Sequence, residues 1–257
     1  MNTSSTMAIE TCEKCLGKAA GDQIALACVP VPYFGEIASK SLEVATIGLN
    51  PAWSEFYTNK GFALPRSIRL PLVEDYGRNS RKDLTTADLE DSTIKRDNYF
   101  VNPDRNWHPY FEKFEGIINR CNPAWSYALG SAIHFDLVAC TTKTTWGKLN
   151  PTTKSVLAEN CRPHFLNTLA QLPHGTALLL DGKRVFDEIN NLGLRIEQTA
   201  PEPRYLLNEL GYRGRLFYDG REYPLRAWHF YMNHMTTHHR AMLGYWLKTS
   251  FFKQLQG

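Results

Sequence analysis

Val44-Ala45-Thr46-Ile47-Gly48-Leu49-Asn50-Pro51-Ala52-Trp53 is the stretch on which the fold turns. The apolar run from Leu42 to Leu49 is short, rich in β-branched residues and broken at Gly48 and Pro51, the pattern of a central strand in a parallel sheet. A polar side chain at the carboxyl end of such a strand lies where open α/β sheets bind ligands, which singles out Asn50. The blander reading is that Asn50-Pro51 merely initiates a turn.

Around this strand stands a chain of 257 residues with 43% hydrophobic content, enough for one sizeable domain spanning 1–257. No run approaches the length of a membrane span, and the polar N-terminus lacks the apolar core of a signal peptide, so a cytoplasmic protein without a membrane partner is expected. The formal charge of +3 is compatible with nucleic acid without demanding it. No obligate protein partner is evident. Six cysteines in such a chain read as free thiols or metal ligands rather than disulfides. Residues 1–11, polar and small, read as disordered. The spacing Cys12-Glu13-Lys14-Cys15 could supply two metal ligands.

Residues 66–106 are dense in charge, with Arg66, Arg69, Arg78, Arg81, Lys82, Lys95, Arg96 and Arg105 interleaved with acids. They read as a surface insertion with a short helix from Thr86 to Lys95. Mixed charge of this kind is a solvated face by default, or in a functional reading a DNA clamp or substrate lid. A helix opens at His108-Pro109 and runs through Arg120, with Tyr110, Phe111, Phe114, Ile117 and Ile118 at core-facing spacing. A second strand, Ile133 to Cys140, carries Asp136 and ends at Thr141-Thr142-Lys143. A carboxylate in an apolar strand is costly without a partner, unless it simply points outward at the strand end. Further elements are a helix within Pro151–Leu172, a strand Thr176–Leu180, a helix Arg184–Asn190, a last strand Leu225–Tyr231 and a final helix Met242–Gln254. Residues 191–224 yield no chemistry. His234 and His238 would share a face if helical, but no carboxylate motif accompanies them and no metal site is expected there.

Four segments recur in order: Gly48-Leu49-Asn50-Pro51, then His134 to Thr142, then Thr176 to Lys183, then Phe230-Tyr231-Met232-Asn233-His234-Met235-Thr236. The series resembles the uracil-DNA glycosylase superfamily, nearest to its mismatch-specific and single-strand-selective branches, whose first motif is also glycine, an aliphatic residue, asparagine and proline. The resemblance runs from Leu42 to the C-terminus, leaving the insertion around 65–105 unmatched. It implies an α/β fold, a three-layer α/β/α sandwich around a mostly parallel four-stranded sheet. It also implies a DNA partner and an enzyme that flips a nucleotide and hydrolyses its N-glycosidic bond. On this resemblance Asn50 positions the attacking water and His234, matching the histidine of the second motif, donates toward the base O2. Met235 and Thr236 stand for that motif's proline and serine. A wedge residue follows among Thr237, His238, His239 and Arg240, with Arg240 the first choice. The same comparison sets Phe62 of Lys60-Gly61-Phe62 to stack on the flipped base, with a loop aromatic docked on the core as the plainer alternative, and it leaves Lys143 among the DNA contacts. Some relatives hold an iron–sulfur cluster with an N-terminal cysteine pair and two later cysteines, positions taken here roughly by Cys12, Cys15, Cys140 and Cys161. The wider spacing and the asparagine-containing first motif depart from those relatives, so free or buried cysteines, and no cofactor, are the expectation.

Asp136 falls where the superfamily usually carries the asparagine that reads the base. An asparagine amide offers a donor and an acceptor to uracil, whereas an ionised aspartate only accepts. An aspartate there disfavours the O4 of uracil and favours the N4 amino group of cytosine. Uracil-selective relatives place a tyrosine after the motif's proline to exclude substituents at C5; this chain has Ala52. The expectation is a monofunctional glycosylase acting on a 5-substituted cytosine, such as the hydroxymethyl- or glucosyl-hydroxymethylcytosine of phage DNA, in a phage-defence role. No lysine sits in a motif position that would suggest lyase chemistry. The alternatives are a repair glycosylase for uracil, hydroxymethyluracil or mismatched thymine, and a non-catalytic DNA-binding sensor on the same fold.

Overall fold

The computed structural model describes Lys14 and residues 20–103, 107–198, 202–206 and 209–252. The expected disorder of residues 1–11 lies outside them. The chain is mixed α/β with a central sheet whose core is parallel, in the strand order β1-β3-β2-β4-β8-β7-β5, with β6 paired to β7. The strands are β1 (Tyr33–Phe34), β2 (Val44–Gly48), β3 (Ala132–Asp136), β4 (Ala177–Leu180), β5 (Arg195–Gln198), β6 (Glu202–Leu206), β7 (Glu209–Tyr218) and β8 (Arg221–Trp228). The helices are α1 (Thr86–Asp97), α2 (Pro109–Cys121), α3 (Pro151–Gln171), α4 (Lys183–Asn191) and α5 (Thr237–Phe252).

The expectation of four strands is thereby corrected. Of the extra strands, β1 lies before β2, and β5, β6 and β7 come from 191–224, to which the sequence assigned no element. β7 pairs antiparallel with β8 from Gly211↔Trp228 to Tyr218↔Arg221, and β5 and β6 pair antiparallel with β7. Gly211 interrupts the apolar alternation of β7 for a packing reason: a Cβ there would lie 2.4 Å from the Trp246 ring. Residues 229–231, expected to extend the last strand, lie beyond its end at Trp228.

The chain forms two compact units. The second comprises Ala38–Ile47, Trp107–His134 and Leu172–Gly257. In it β2 pairs in parallel with β4, Val44↔Ala177 through Ile47↔Leu180, and β4 with β8, Leu178↔Leu225 through Leu180↔Ala227. Every residue of β2 and β4 is buried, as parallel strands covered on both faces require. Thr46, the one polar residue of β2, bonds through Oγ1 to Tyr127 Oη at 2.5 Å and His134 Nδ1 at 2.8 Å. Helix α2 starts with Pro109 in its first turn and the His108 side chain accepting from Tyr110 N–H, a start that needs no amide at the proline.

The first unit comprises Met1–Ile37, Gly48–Asn106 and Phe135–Gln171. Helix α1 starts at a capping box, Thr85 accepting from Asp88 N–H while the Asp88 carboxylate accepts from Thr85 N–H. Helix α3 begins where Asn150 Oδ1 accepts from Thr153 N–H at 2.7 Å. Within 66–106 the reading of the charges as a solvated face is corrected for three of the cations. Arg69, Arg81 and Arg96 are buried, because each guanidinium meets specific acceptors or a ring. Arg69 forms a two-pronged pair with Asp75, Arg81 donates to the Ala25 and Leu26 carbonyls, and Arg96 donates to Thr93 Oγ1 and lies 4.6 Å from the Tyr33 ring centroid. Burial alone would raise the Asp75 carboxyl, but Arg69 and the Leu72 N–H hold it below the usual carboxylate range.

Candidate functional site

Both Asn50 and Asp136 belong to the first unit, where β2 and β3 end. Past the strands, backbone bonds continue the pairing: Leu137 N–H donates to the Gly48 carbonyl at 3.1 Å and Val138 N–H to Leu49 at 2.9 Å. The register of Asn50 against the end of β3 is therefore set by main chain, not by side chains. From this position the Asn50 amide nitrogen donates to Thr142 Oγ1 at 3.1 Å and to the Pro51 carbonyl at 3.2 Å. Thr142 passes the polarity on, donating to the Thr144 carbonyl at 2.6 Å. With both amide protons directed to protein oxygens, Asn50 Oδ1 is left as the acceptor.

Asp136 is 3% exposed, which rules out the alternative of an outward-pointing residue at a strand end. Ala52 is exposed, at the start of the single 3-10 turn Trp53–Glu55. Lys143 is exposed, its N–H donating to the Gln23 carbonyl at 2.7 Å. Phe62 is 69% exposed, so the alternative of a ring docked on the core does not hold.

His234 belongs to the second unit, on the 3-10 turn Met232–His234 after β8. Its side chain is exposed, and its ring centroid is 6.2 Å from that of Tyr231. The turn is anchored by a residue to which the sequence alone assigned no role. Asp181, fully buried after β4, accepts the Met232 N–H through Oδ1 at 2.8 Å. Beside it Lys183 N–H donates to the His229 carbonyl, and Gly182, at φ +93°, lies so close that a Cβ would be 3.2 Å from Tyr231 N. The signal for Asp181 was present as a carboxylate followed by glycine at the end of an apolar strand, the same kind of position that drew attention to Asn50.

The wedge candidates are corrected in conformation. Thr237 to Arg240 form the first turn of α5, not a loop, and Thr236 Oγ1 accepts from His239 N–H. Arg240 folds back on this turn, donating to the Met235 carbonyl at 2.7 Å and to Thr237 Oγ1 at 3.1 Å. His238 is exposed and His239 half-buried, their ring centroids 6.3 Å apart.

Of the cluster candidates, Cys12 and Cys15 lie outside the described residues. Cys140 and Cys161 are buried, and Cys140 is disulfide-bonded, contrary to the expectation of thiols or ligands throughout. Arg81 Nη1 donates to the Cys140 sulfur at 3.2 Å, so this sulfur is committed to structural contacts. Among the described residues no three His, Cys, Asp or Glu side chains gather to hold a metal ion. No described helix is long and apolar enough to cross a membrane.

Searches of family models, curated proteins and solved structures match nothing.

Proposed function

We propose that the protein is a monofunctional DNA glycosylase with a three-layer fold of the uracil-DNA glycosylase kind. Its substrate is a 5-substituted cytosine, hydroxymethylated or glucosylated as in phage DNA, and its setting is cytoplasmic defence. The observation that carries this reading is the Asn50 amide, held by Thr142 at the end of β2 with its oxygen left to accept, on the same unit as the buried carboxylate of Asp136.

Hydrolysis of an N-glycosidic bond passes through an oxocarbenium-like sugar and an anionic leaving base. Asn50 Oδ1 accepts a hydrogen bond from the attacking water and so aims the water's lone pair at the sugar. Asp136 accepts from the N4 amino group of the base and disfavours a carbonyl at that position. His234 donates toward O2 as charge develops there, a contribution of roughly 3–4 kcal/mol when such a donor is preorganised. Water adds its hydroxyl to the sugar, and its other proton ends, through solvent, on the departing base, giving an abasic site and the neutral base.

Base release from duplexes carrying uracil, cytosine, hydroxymethylcytosine and glucosylated hydroxymethylcytosine tests the reading. Release of the modified cytosines is expected, with Asp136→Asn moving selectivity toward uracil. Release of uracil in preference would sink the cytosine assignment, and release of nothing would sink the enzyme.

A further inference from the structure

Phe62 tops a short hairpin whose construction is specific. Thr58 N–H donates to the Phe62 carbonyl at 2.8 Å, Gly61 N–H to the Thr58 carbonyl at 2.9 Å and Leu64 N–H to the Phe56 carbonyl at 2.9 Å, while Tyr57 bridges to Ala63. The three-residue connection Asn59-Lys60-Gly61 closes with Gly61 at φ +80°, the left-handed position that such a connection demands. The base of the hairpin is buttressed. Trp53 stacks on Tyr57 with centroids 4.2 Å apart and planes at 18°. An ordered support thus holds a phenyl ring out in water, against the ordinary preference of that ring for burial.

The hairpin and the segment that follows it in the chain are rich in cations. Between Phe56 and Val73 the chain carries Lys60, Arg66 and Arg69 and no carboxylate. Arg69 is committed to Asp75, whereas Lys60 and Arg66 are exposed, the latter at 4.0 Å from the outer edge of Asp75. An exposed aromatic ring in a segment that also carries two solvent-facing cations suits a ligand offering flat apolar faces and anionic links in alternation, which describes a nucleic-acid strand. A duplex exposes base faces only at its ends or gaps, whereas a single strand exposes them throughout. A lone ring is also too small an apolar patch for a protein interface.

We propose that the Thr58–Leu64 hairpin is a stacking platform for single-stranded DNA, with Phe62 against a base of the strand itself and Lys60 and Arg66 on the phosphates. The proposal rests on the glycosylase reading for its choice of DNA and adds to it the form of substrate: an unpaired strand. Phe62 then serves a base beside the target, not the extruded one.

The test is anisotropy of a fluorescein-labelled, unmodified oligothymidylate and of a duplex of equal length, titrated with the full chain over a range of salt. Tighter binding of the single strand is expected. Phe62→Ala should weaken it about tenfold, the scale of one lost stack, with the salt slope unchanged, while Phe62→Trp retains affinity. Lys60→Gln and Arg66→Gln should each lower the slope by about 0.7. Equal binding of duplex and single strand overturns the proposal, as does Phe62→Ala binding like the parent at an unchanged thermal midpoint. Phe62-dependent binding to phosphatidylserine vesicles, with oligothymidylate untouched by the substitution, also overturns it in favour of a lipid surface. Because the assay needs no turnover, the two readings fail separately. Single-strand binding without base release from any substrate removes the glycosylase and keeps the platform; base release with a silent Phe62→Ala does the reverse.

Discussion

The two units solve the burial of polar groups in opposite ways. The unit carrying Asn50 and Asp136 has Glu55, Arg69, Arg81, Arg96 and His164 in its interior, while the unit carrying His234 is built on the aliphatic strands β2 and β4 beside the mixed strand β8, with His134, Asp181 and Arg226 as its buried titratable or charged groups. Each buried ion in the first unit must be offset by designed contacts, such as Glu55 accepting from the Tyr99 hydroxyl at 2.7 Å. Apolar strands need no such matching. The lesson is that the first unit's stability is tied to protonation, whereas the second's is tied to area buried.

Acid should expose this contrast most strongly. His164, 0% exposed in α3 just after Pro163, has no hydrogen-bond partner at either ring nitrogen, and burial, helped by nearby Arg96, pushes its pKa down to about 3. An unfolded chain binds a proton there near pH 6.5 and the folded one does not, so stability is intact above about 6.5 and is lost progressively as pH falls toward 3. Hydrogen exchange should show 151–171 losing protection in that window before 177–180 and 225–228 do. His164→Leu should flatten the dependence; an unchanged acid profile in that variant would place the sensitivity elsewhere.

Next in size come the two candidate chemical groups, one in each unit. Asn50→Ala and His234→Ala should each lower base release by roughly 10²–10³-fold. Thermal midpoints should hold, since Asn50 is half-buried and His234 exposed. A large loss of stability with either would reclassify it as structural. Smaller again is the anchor of the second unit. Asp181→Ala strands the buried Met232 N–H and should cost about 1–3 kcal/mol in urea unfolding, with Asp181→Asn costing less because an acceptor oxygen remains. Base release should fall along with it if the His234 turn depends on that bond. Least is Gly61→Ala, about 1–2 kcal/mol of left-handed strain with nothing within 4 Å to clash, detectable as faster local exchange around residues 58–64.

How much of this was legible in the sequence follows from how each signal is encoded. β2, β4 and α2 declare themselves because a continuous aliphatic run and a helical stripe are local patterns, and their observed ends fall within about two residues of those expected. Asp136 was legible as an anomaly, a carboxylate in an apolar strand, and it is indeed buried. The arginines of 66–106 were not, since composition cannot distinguish Arg69, matched by a carboxylate six residues on, from Arg66 in water. β7 was hidden because Gly211 and Gly214 take places where the alternation wants side chains. The start of α5 was misjudged because Thr237-His238-His239 carries little helical preference and is supported instead by the Thr236 hydroxyl.

One contact has a mechanical consequence. A Cβ on Gly244 would stand 2.8 Å from Arg120 Cβ and 3.2 Å from the Ile117 carbonyl, so α5 rests on α2 at a distance that only a bare backbone permits. Such a bearing resists rolling and sliding alike. The histidine-rich turn about two helical turns upstream is thus mounted on a fixed axle, and whatever travel the 229–236 segment undergoes must be taken up within the segment itself.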